Sequence, residues 1–326
     1  MTDPVYDRCV SPPTSTVKAL IFTYSESISF QDFTPPLLAS KLRHQLITHN
    51  PLKSLRWAYN PFEMIALRTH LTTMELASII YAINPFNCQS PDLYKRDDLR
   101  YVYLDLDDSP GMSILMQIFY PNSYCYGLSQ ATGKNWNFVN NELNIHNFMI
   151  TSTNHESLRY SCLLNNPGGI DLSLVTANQS SPETQWYYLF VGISVLYETG
   201  TLIYRFYHQH DENTAQLLFL ASQCFQSIEL YKPACSPCDD ESVYLIGHSR
   251  KTDLIAQAIL TKIQTRTYGR LTSDFLRWND NASKELLEDQ IKAIEEIDRG
   301  VDRRSIFNLE KAIALWKVPI TAPIGL

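Results

Sequence analysis

The sequence has no excess of basic residues and no apolar stretch long enough to cross a membrane. Its 27 Lys and Arg residues are outnumbered by 34 Asp and Glu, so the formal net charge is -7. A free-standing nucleic-acid-binding protein usually carries clustered positive charge to neutralise phosphates, so any contact with RNA must be local. The longest nearly apolar run, WYYLFVGISVLY, is shorter than the roughly 20 residues of a membrane span. We expect a soluble intracellular protein, nuclear or cytoplasmic, with no membrane partner.

Two kinds of motif are also missing. The seven cysteines are scattered and odd in number, so they outline no disulfide framework and fit a reducing compartment. The closest pair, Cys235 and Cys238, has no second pair beside it, and we therefore expect no metal. No G-x-G-x-x-G sequence follows any predicted strand, which disfavours a nicotinamide-dependent oxidoreductase.

What the sequence does contain is an alternation of short β-rich runs and helical segments. The runs include RYVYLDL, YCYGLSQ, IDLSLVT, TLIYRFY and SVYLIGHS. Strands that alternate with helices predict a mostly parallel sheet covered on both faces, and hence an α/β protein. The last two strands, SIELY and SVYLIGHS, follow each other without an intervening helix, which predicts an antiparallel hairpin at the edge of the sheet. Apolar spacing also predicts a long helix from about Asn60 to Ile83.

The segment YLDLDDSPGMS, residues 103–113, carries the clearest signal of a binding site. An apolar run that ends in acidic residues and continues with Ser-Pro-Gly predicts a strand that breaks into a tight loop before a helix. This is the place where α/β folds bind nucleotides. Asp105 would lie at the end of the strand, and Ser109, Pro110 and Gly111 would form the loop.

The order of these segments resembles the FtsJ-like (RrmJ-type) fold of cap-specific mRNA 2′-O-ribose methyltransferases. LDLDDSPGMS stands where that family has an Asp and a Gly-Pro-Gly-Gly loop, MITSTN where it has a Gly-Asp-Ile-Thr-like stretch, and GGIDLSLVTANQS resembles its strand ending in Ala-Asp-Gly. GTLIYRFY resembles the strand with a catalytic lysine, CFQSIELYKPACSP the Lys-Pro segment, and ESVYLIG the strand with a catalytic glutamate. FLRWNDNASKELLEDQIKAIEEI and KAIALWKVP resemble the family's helical tail.

The resemblance implies a Rossmann-like fold of S-adenosylmethionine-dependent methyltransferases. Its sheet would have seven mostly parallel strands with the last one antiparallel, and helical additions would lie at both ends of the chain. We expect a lead-in and helix over residues 1–55, the FtsJ-like methyltransferase domain over 56–250, and a helical extension over 251–326.

Without gaps in the alignment, the family's Lys-Asp-Lys-Glu tetrad is changed at every position. The first lysine falls at His70 and the aspartate at Asn178, whose amide cannot neutralise a cation. The central lysine, which the family tunes to deprotonate the ribose hydroxyl, falls at Arg205, and an arginine cannot be deprotonated in a protein. The glutamate falls at Ser242, or at Glu241 if the alignment slips by one residue.

The positions implied for the methyl donor are also altered. Loop glycines that allow close backbone approach are replaced by Asp108 or Ser109, although the following Pro-Gly matches. The family's adenine-contacting Asp falls at Met149, whereas Asp105 remains where the methionine moiety would lie. S-adenosylmethionine is the implied cofactor, and we expect its binding to be weakened or lost.

Two functions follow from these assignments. The favoured one is a catalytically defective homologue, a pseudoenzyme that binds RNA, such as capped mRNA, or protein subunits of a capping or polymerase complex. The alternative is an active RNA cap 2′-O-methyltransferase that uses displaced residues, with His70 or Lys134 as the base and Glu241 as its carboxylate partner. Aromatic residues such as Trp136 and Trp278 are candidates for stacking on RNA bases.

Overall fold

A computed structural model describes the central part of the chain and its first C-terminal helices. The described residues are 56, 59–60, 71–83, 99–105, 115–116, 120, 122–129, 148–150, 155–176, 182–207, 212–233, 235–237, 240 and 242–302. The strands are β1 (Arg100–Asp105), β2 (Tyr124–Ser129), β3 (Phe148–Ile150), β4 (Ile170–Thr176), β5 (Leu196–Phe206), β6 (Phe225–Tyr231) and β7 (Val243–Arg250). The helices are α1 (Leu71–Ile83), α2 (His155–Asn165), α3 (Pro182–Ser194), α4 (Glu212–Cys224), α5 (Leu254–Thr265) and α6 (Ser273–Asp298).

The seven strands form one sheet in the order β3-β2-β1-β4-β5-β7-β6. β1, β2, β3, β4 and β5 pair in parallel, whereas β7 is antiparallel to both β5 and β6. This order and the single reversed strand confirm the predicted Rossmann-like methyltransferase fold, including the hairpin that no helix interrupts. β7 inserts between β5 and β6, so β6 forms the edge.

Alternate residues of β5 divide the molecule into two layers, because successive side chains of a strand point to opposite faces. Leu202, Tyr204 and Phe206 belong to a large buried cluster that also includes residues of α3, α4 and α5. Arg205 points the other way and contacts Thr72 of α1. The helix α1 therefore packs on the face of the sheet that carries Arg205.

The helices α5 and α6 have capped N-termini and pack against the rest of the fold. The Asp253 side chain accepts a hydrogen bond from the backbone of Ala256 at the start of α5, and Thr272 caps α6 in the same way. Near the start of α6, Phe275 packs against Phe219 of α4 with ring centroids 5.1 Å apart. No helix in the described part of the chain is long and apolar enough to cross a membrane.

The helix predicted from about Asn60 to Ile83 is described only in part. α1 ends at Ile83, as expected, but Asn60 is not helical, and residues 61–70 lie outside the described set. The irregular lead-in and helix predicted for residues 1–55, and the last predicted helix beyond residue 302, also lie outside it.

Candidate functional site

The candidate site lies at the carboxyl ends of the parallel strands. Backbone register places Asp105 of β1 beside Thr176 of β4, and Thr176 beside Arg205 of β5. The order of the strands reverses between β1 and β4, and α/β sheets bind ligands in the crevice at such a switch point. Asp105, the last residue of β1, therefore stands where a nucleotide-like cofactor would bind.

Arg205 is the centre of a buried charge cluster at this edge. Its side chain is only 5% exposed, and Nη2 donates to Oδ2 of Asp240 over 2.8 Å. Nη2 also lies 3.6 Å from Oε2 of Glu75, while Nη1 donates to Oγ1 of Thr72 over 3.3 Å. The rings of Tyr207 and Tyr244 lie 5.3 and 5.9 Å from the guanidinium carbon. The guanidinium is thus enclosed by internal acceptors and aromatic rings.

Glu75 supplies one of the two carboxylates and is fully buried within α1. Its Oε2 accepts a hydrogen bond from the Tyr244 hydroxyl at 2.7 Å, and its Oε1 accepts one from the Ser236 hydroxyl. A carboxylate without solvent is costly unless it is paired and hydrogen-bonded, and these donors together with Arg205 meet that need. Glu75 thereby joins α1 to β7 and to the loop before it.

Asp240 supplies the second carboxylate from the loop between β6 and β7. Its Oδ1 and Oδ2 accept hydrogen bonds from the backbone N–H and the hydroxyl of Ser242, at 2.8 and 2.9 Å. Its backbone carbonyl accepts from Lys232 Nζ and from Gln290 of α6, the latter at 2.7 Å. Lys232 also donates to the carbonyl of Ser242 over 2.8 Å. The loop is therefore held by Lys232, which directly follows β6, by Gln290 of α6 and by Arg205.

These surroundings move the pKa values of the cluster away from neutrality. Burial alone would raise the pKa of Asp240, but Lys232, Arg205 and the hydrogen bonds from Ser242 lower it below its usual value. Burial, followed by the charge of Glu75, raises the pKa of Tyr244 well above its usual value. Burial lowers the pKa of Arg205, and the negative groups beside it more than offset this, so the guanidinium stays charged.

Among the described residues, the arrangement around Arg205 stabilises charge. General bases work best with a pKa near the operating pH. Within the described residues of this cluster, Asp240 stays ionised, Tyr244 stays neutral and Arg205 stays cationic at neutral pH. The resemblance places a catalytic lysine at Arg205. Here the Arg205 guanidinium forms ion pairs with the carboxylates of Glu75 and Asp240.

The structure brings together two of the predicted site residues. Arg205 and Ser242 both donate a hydrogen bond to Oδ2 of Asp240. Met149 lies in the edge strand β3 opposite Tyr126, at backbone level. The predicted residues His70, Ser109, Pro110, Gly111, Asn178 and Glu241, together with Lys134, Trp136 and Cys238, lie outside the described residues.

Sequence reasoning missed Glu75, Asp240 and Lys232 as members of the site. Glu75 had a detectable signal, because a lone glutamate in the apolar stretch LTTMELASII is expected to need a cationic partner when buried. Asp240 in PCDDES had no signal beyond a polar loop. Trp278, a candidate for base stacking, is half-buried at the side of the core, and its ring centroid lies 5.7 Å from that of Phe275.

The described residues contain no group of three or more metal-ligating side chains. Cys235 is a buried thiol whose Sγ lies 3.9 Å from the Ser78 hydroxyl. For S-adenosylmethionine, the backbone position of Asp105 at the switch point fits the place where a donor would bind.

No protein-family model and no curated protein matches the sequence. Several solved structures show a partial likeness to the chain. Human methyltransferase-like protein 13 in complex with SAH has 11% identity and a TM-score of 0.39, over 61% of this chain and 93% of that one. An rRNA methylase from Streptococcus thermophilus has 15% identity and a TM-score of 0.37, over 48% and 89%. The fibrillarin pre-rRNA processing protein of Methanococcus jannaschii has 11% and 0.36, over 49% and 70%.

The order of the strands and the reversed β7 define the class: a Rossmann-like methyltransferase fold.

Proposed function

We propose that this protein is a catalytically defective relative of the FtsJ-like mRNA cap 2′-O-ribose methyltransferases. It acts as a non-enzymatic subunit that binds RNA or protein partners in an RNA-processing, capping or transcription assembly. The observation that carries the proposal is the state of Arg205. The residue at the position that the resemblance assigns to a catalytic lysine cannot lose a proton and is bound by Asp240 and Glu75.

The chemistry of ribose methylation explains why this observation matters. A ribose hydroxyl is a weak acid, so a positioned base must take its proton while the sulfonium of S-adenosylmethionine donates a methyl group. Loss of a positioned acid or base costs roughly 10²–10⁴ in rate, and loss of one preorganised electrostatic group about 10²–10³. Arg205 supplies no base, and its charge is already neutralised within the protein.

The internal anions of Arg205 also bear on what the cleft binds. A strand-end arginine in a methyltransferase cleft would otherwise be a candidate contact for an RNA phosphate. Here its partners are carboxylates of the same chain, and it is 4% exposed. We therefore assign Arg205 a structural role, and the RNA contact must involve other residues.

The buried thiols of Cys125, Cys162 and Cys224 are consistent with a function in a reducing compartment.

The alternative, an active cap 2′-O-methyltransferase with displaced residues, has one observation in its favour. Thr72, which follows His70 by two residues in the sequence, contacts Arg205. An imidazole titrates near neutrality and would serve as a base there. Lys134 and Glu241 are the other residues of this alternative.

A reconstruction series separates the two proposals. Methyl transfer from labelled S-adenosylmethionine to capped, 2′-unmethylated RNA is measured for the natural chain and for a variant carrying His70→Lys, Asn178→Asp, Arg205→Lys and Ser242→Glu. Because a glutamate at 242 would face Asp240, a second version adds Asp240→Asn. Activity in a reconstruction alone supports the defective-enzyme proposal. Activity in the natural chain that His70→Ala removes supports the alternative.

Donor binding is measured separately, by equilibrium dialysis with labelled S-adenosylmethionine. We expect binding that is weak or absent, since the loop glycines of the resemblance are replaced. An Asp105→Asn variant serves as the control for any binding that remains. Donor binding without transfer would still fit a non-enzymatic subunit, whereas transfer would not.

A further inference from the structure

The segment between α5 and α6 is basic in a chain that is otherwise acidic. No Asp or Glu occurs between Asp253 and Asp274, and this stretch contains Lys262, Arg266 and Arg270. All three cationic side chains are exposed. The whole chain carries a formal charge of -7, so this is a local concentration of positive charge.

A buried glutamine fixes the loop that follows α5. Gln216 of α4, which is fully buried, donates to the carbonyl of Gly269 at 3.0 Å and accepts from its N–H at 2.9 Å. A Cβ at position 269 would lie 3.1 Å from the Phe219 ring, so the loop backbone packs tightly against α4 there. The backbone between Tyr268 and Arg270 is therefore held in one place against α4.

The Tyr268 ring stacks on another aromatic side chain. Its partner is Trp186 of α3, with centroids 5.7 Å apart and an angle of 22° between the planes. Trp186 is itself buried, and its Nε1 donates to Oδ1 of Asn213 at the start of α4. Tyr268 remains 52% exposed. A half-exposed ring that stacks on a buried tryptophan thus lies between two exposed arginines in the sequence.

The loop contacts helices that begin at the same edge of the sheet as the candidate site. α3 and α4 start just after the carboxyl ends of β4 and β5, and the loop rests on Trp186 and Gln216 near those starts. Arg205 lies at the end of β5, on the opposite face. A strand of RNA that reaches this edge would pass the loop.

We propose that Lys262, Arg266, Tyr268 and Arg270 form a binding surface for single-stranded RNA. A base stacks on Tyr268, and the three cations contact the phosphates on either side. Aromatic platforms flanked by positive charge bind single strands with little sequence preference, because every base has a π face. The inference deepens the proposed function, on which its biological meaning rests, by giving the RNA-binding role a location outside the altered cleft.

Fluorescence anisotropy with a labelled, uncapped oligouridylate tests the stacking contact. We expect Tyr268→Leu, which keeps apolar contact with Trp186, to weaken binding about tenfold, and Tyr268→Phe to leave it unchanged. Tyr160→Leu is the matched control, since Tyr160 is 67% exposed on α2. An equal effect of the leucine variants at 160 and 268 would overturn the stacking contact.

The salt dependence of binding tests the phosphate contacts. For a single strand, each phosphate contact contributes about 0.7 to the slope of log affinity against log salt. Arg266→Gln and Arg270→Gln should each lower the slope by about that amount, and Lys284→Gln on α6 should not. An unchanged slope in both arginine variants would overturn the assignment of this surface.

The outcomes also keep this inference apart from the proposed function. RNA binding that is insensitive to every loop variant overturns the surface and leaves the defective-enzyme proposal to the methyl-transfer assay. Equal competition by polyphosphate and oligouridylate, with no effect of Tyr268→Leu, would indicate a general polyanion or acidic-protein surface and overturn the RNA assignment. No binding of oligouridylate at low salt would overturn it as well.

Discussion

Nη2 of Arg205 lies 2.8 Å from Oδ2 of Asp240, and the two side chains are 5% and 14% exposed. The same oxygen accepts a hydrogen bond from the Ser242 hydroxyl. Buried ion pairs are strongly destabilising to break, because the remaining charge is left without compensation. The pair therefore makes the position of the expected catalytic lysine into a structural element that joins β5 to the loop before β7.

Replacing Arg205 by Met should lower the free energy of unfolding by about 3–5 kcal/mol, because Glu75 and Asp240 would lose their buried cation. Urea unfolding followed by circular dichroism measures the change. Arg205→Lys should lower the free energy of unfolding by less, because a positive charge remains. Some loss is still expected, because a lysine cannot reach all of the acceptors. The control is Arg277→Met, a side chain 75% exposed, which should change stability by less than about 0.5 kcal/mol. Equal stability of the two methionine variants would contradict the structural role.

Asp240 should make stability depend on pH in the acid range. Its pKa is lower in the folded protein than in the unfolded chain, so ionised Asp240 stabilises the fold above its ordinary pKa of about 4. This contribution is lost as the pH falls through the lowered folded pKa. The stability difference between the natural chain and Asp240→Asn should thus be largest near neutral pH and shrink below about pH 4. Unfolding by urea at a series of pH values measures it; a difference that grows toward acid would contradict the prediction.

Gly169 should tolerate no side chain at the start of β4. Its φ is +100°, and a Cβ there would lie 2.6 Å from the backbone nitrogen of Tyr197. Gly169→Ala should destabilise the protein by more than about 2 kcal/mol. Gly300 also has a positive φ, of +70°, but a Cβ there meets nothing within 4 Å, so Gly300→Ala should cost only about 1 kcal/mol. Similar melting temperatures for the two variants would refute the β4–β5 packing.

Buried thiols should resist alkylation in the folded protein. Burial raises the pKa of Cys162 and of Cys224 to about 12, and it raises the pKa of Cys125 as well. Because the thiolate is the reactive form, iodoacetamide at pH 8 should modify these three residues only after unfolding. Peptide mass spectrometry with and without urea measures this. Rapid native modification of Cys162 would show that its surroundings are more open than described.

The sequence was sufficient to predict the sheet because strand and helix patterns are local. Apolar runs such as IDLSLVT and SVYLIGHS became β4 and β7, and the absence of a helix before β7 predicted its antiparallel direction. The insertion of β7 between β5 and β6 could not be read from the pattern alone. The family resemblance implied that the last strand is antiparallel.

The charge cluster could not be predicted in the same way, because its members are distant in the chain. Thr72 and Arg205, which are 133 residues apart, meet only after α1 docks on the sheet. Glu75 signals the need for a cation but not which one, and Asp240 takes its place through contacts with Arg205, Ser242 and Gln290. Tertiary packing, rather than local propensity, decides such partnerships.

The most direct test of the central claim is methyl transfer by the natural, unmodified chain. The protein is mixed with labelled S-adenosylmethionine and capped RNA that lacks the 2′-methyl group. The protein is in molar excess over the RNA, so that even a single turnover would be seen. We predict no label in the RNA beyond that of a protein-free sample, because Arg205 is occupied by two carboxylates and cannot act as a base. Label at the 2′-oxygen of the first nucleotide, lost in a His70→Ala variant, would contradict the account.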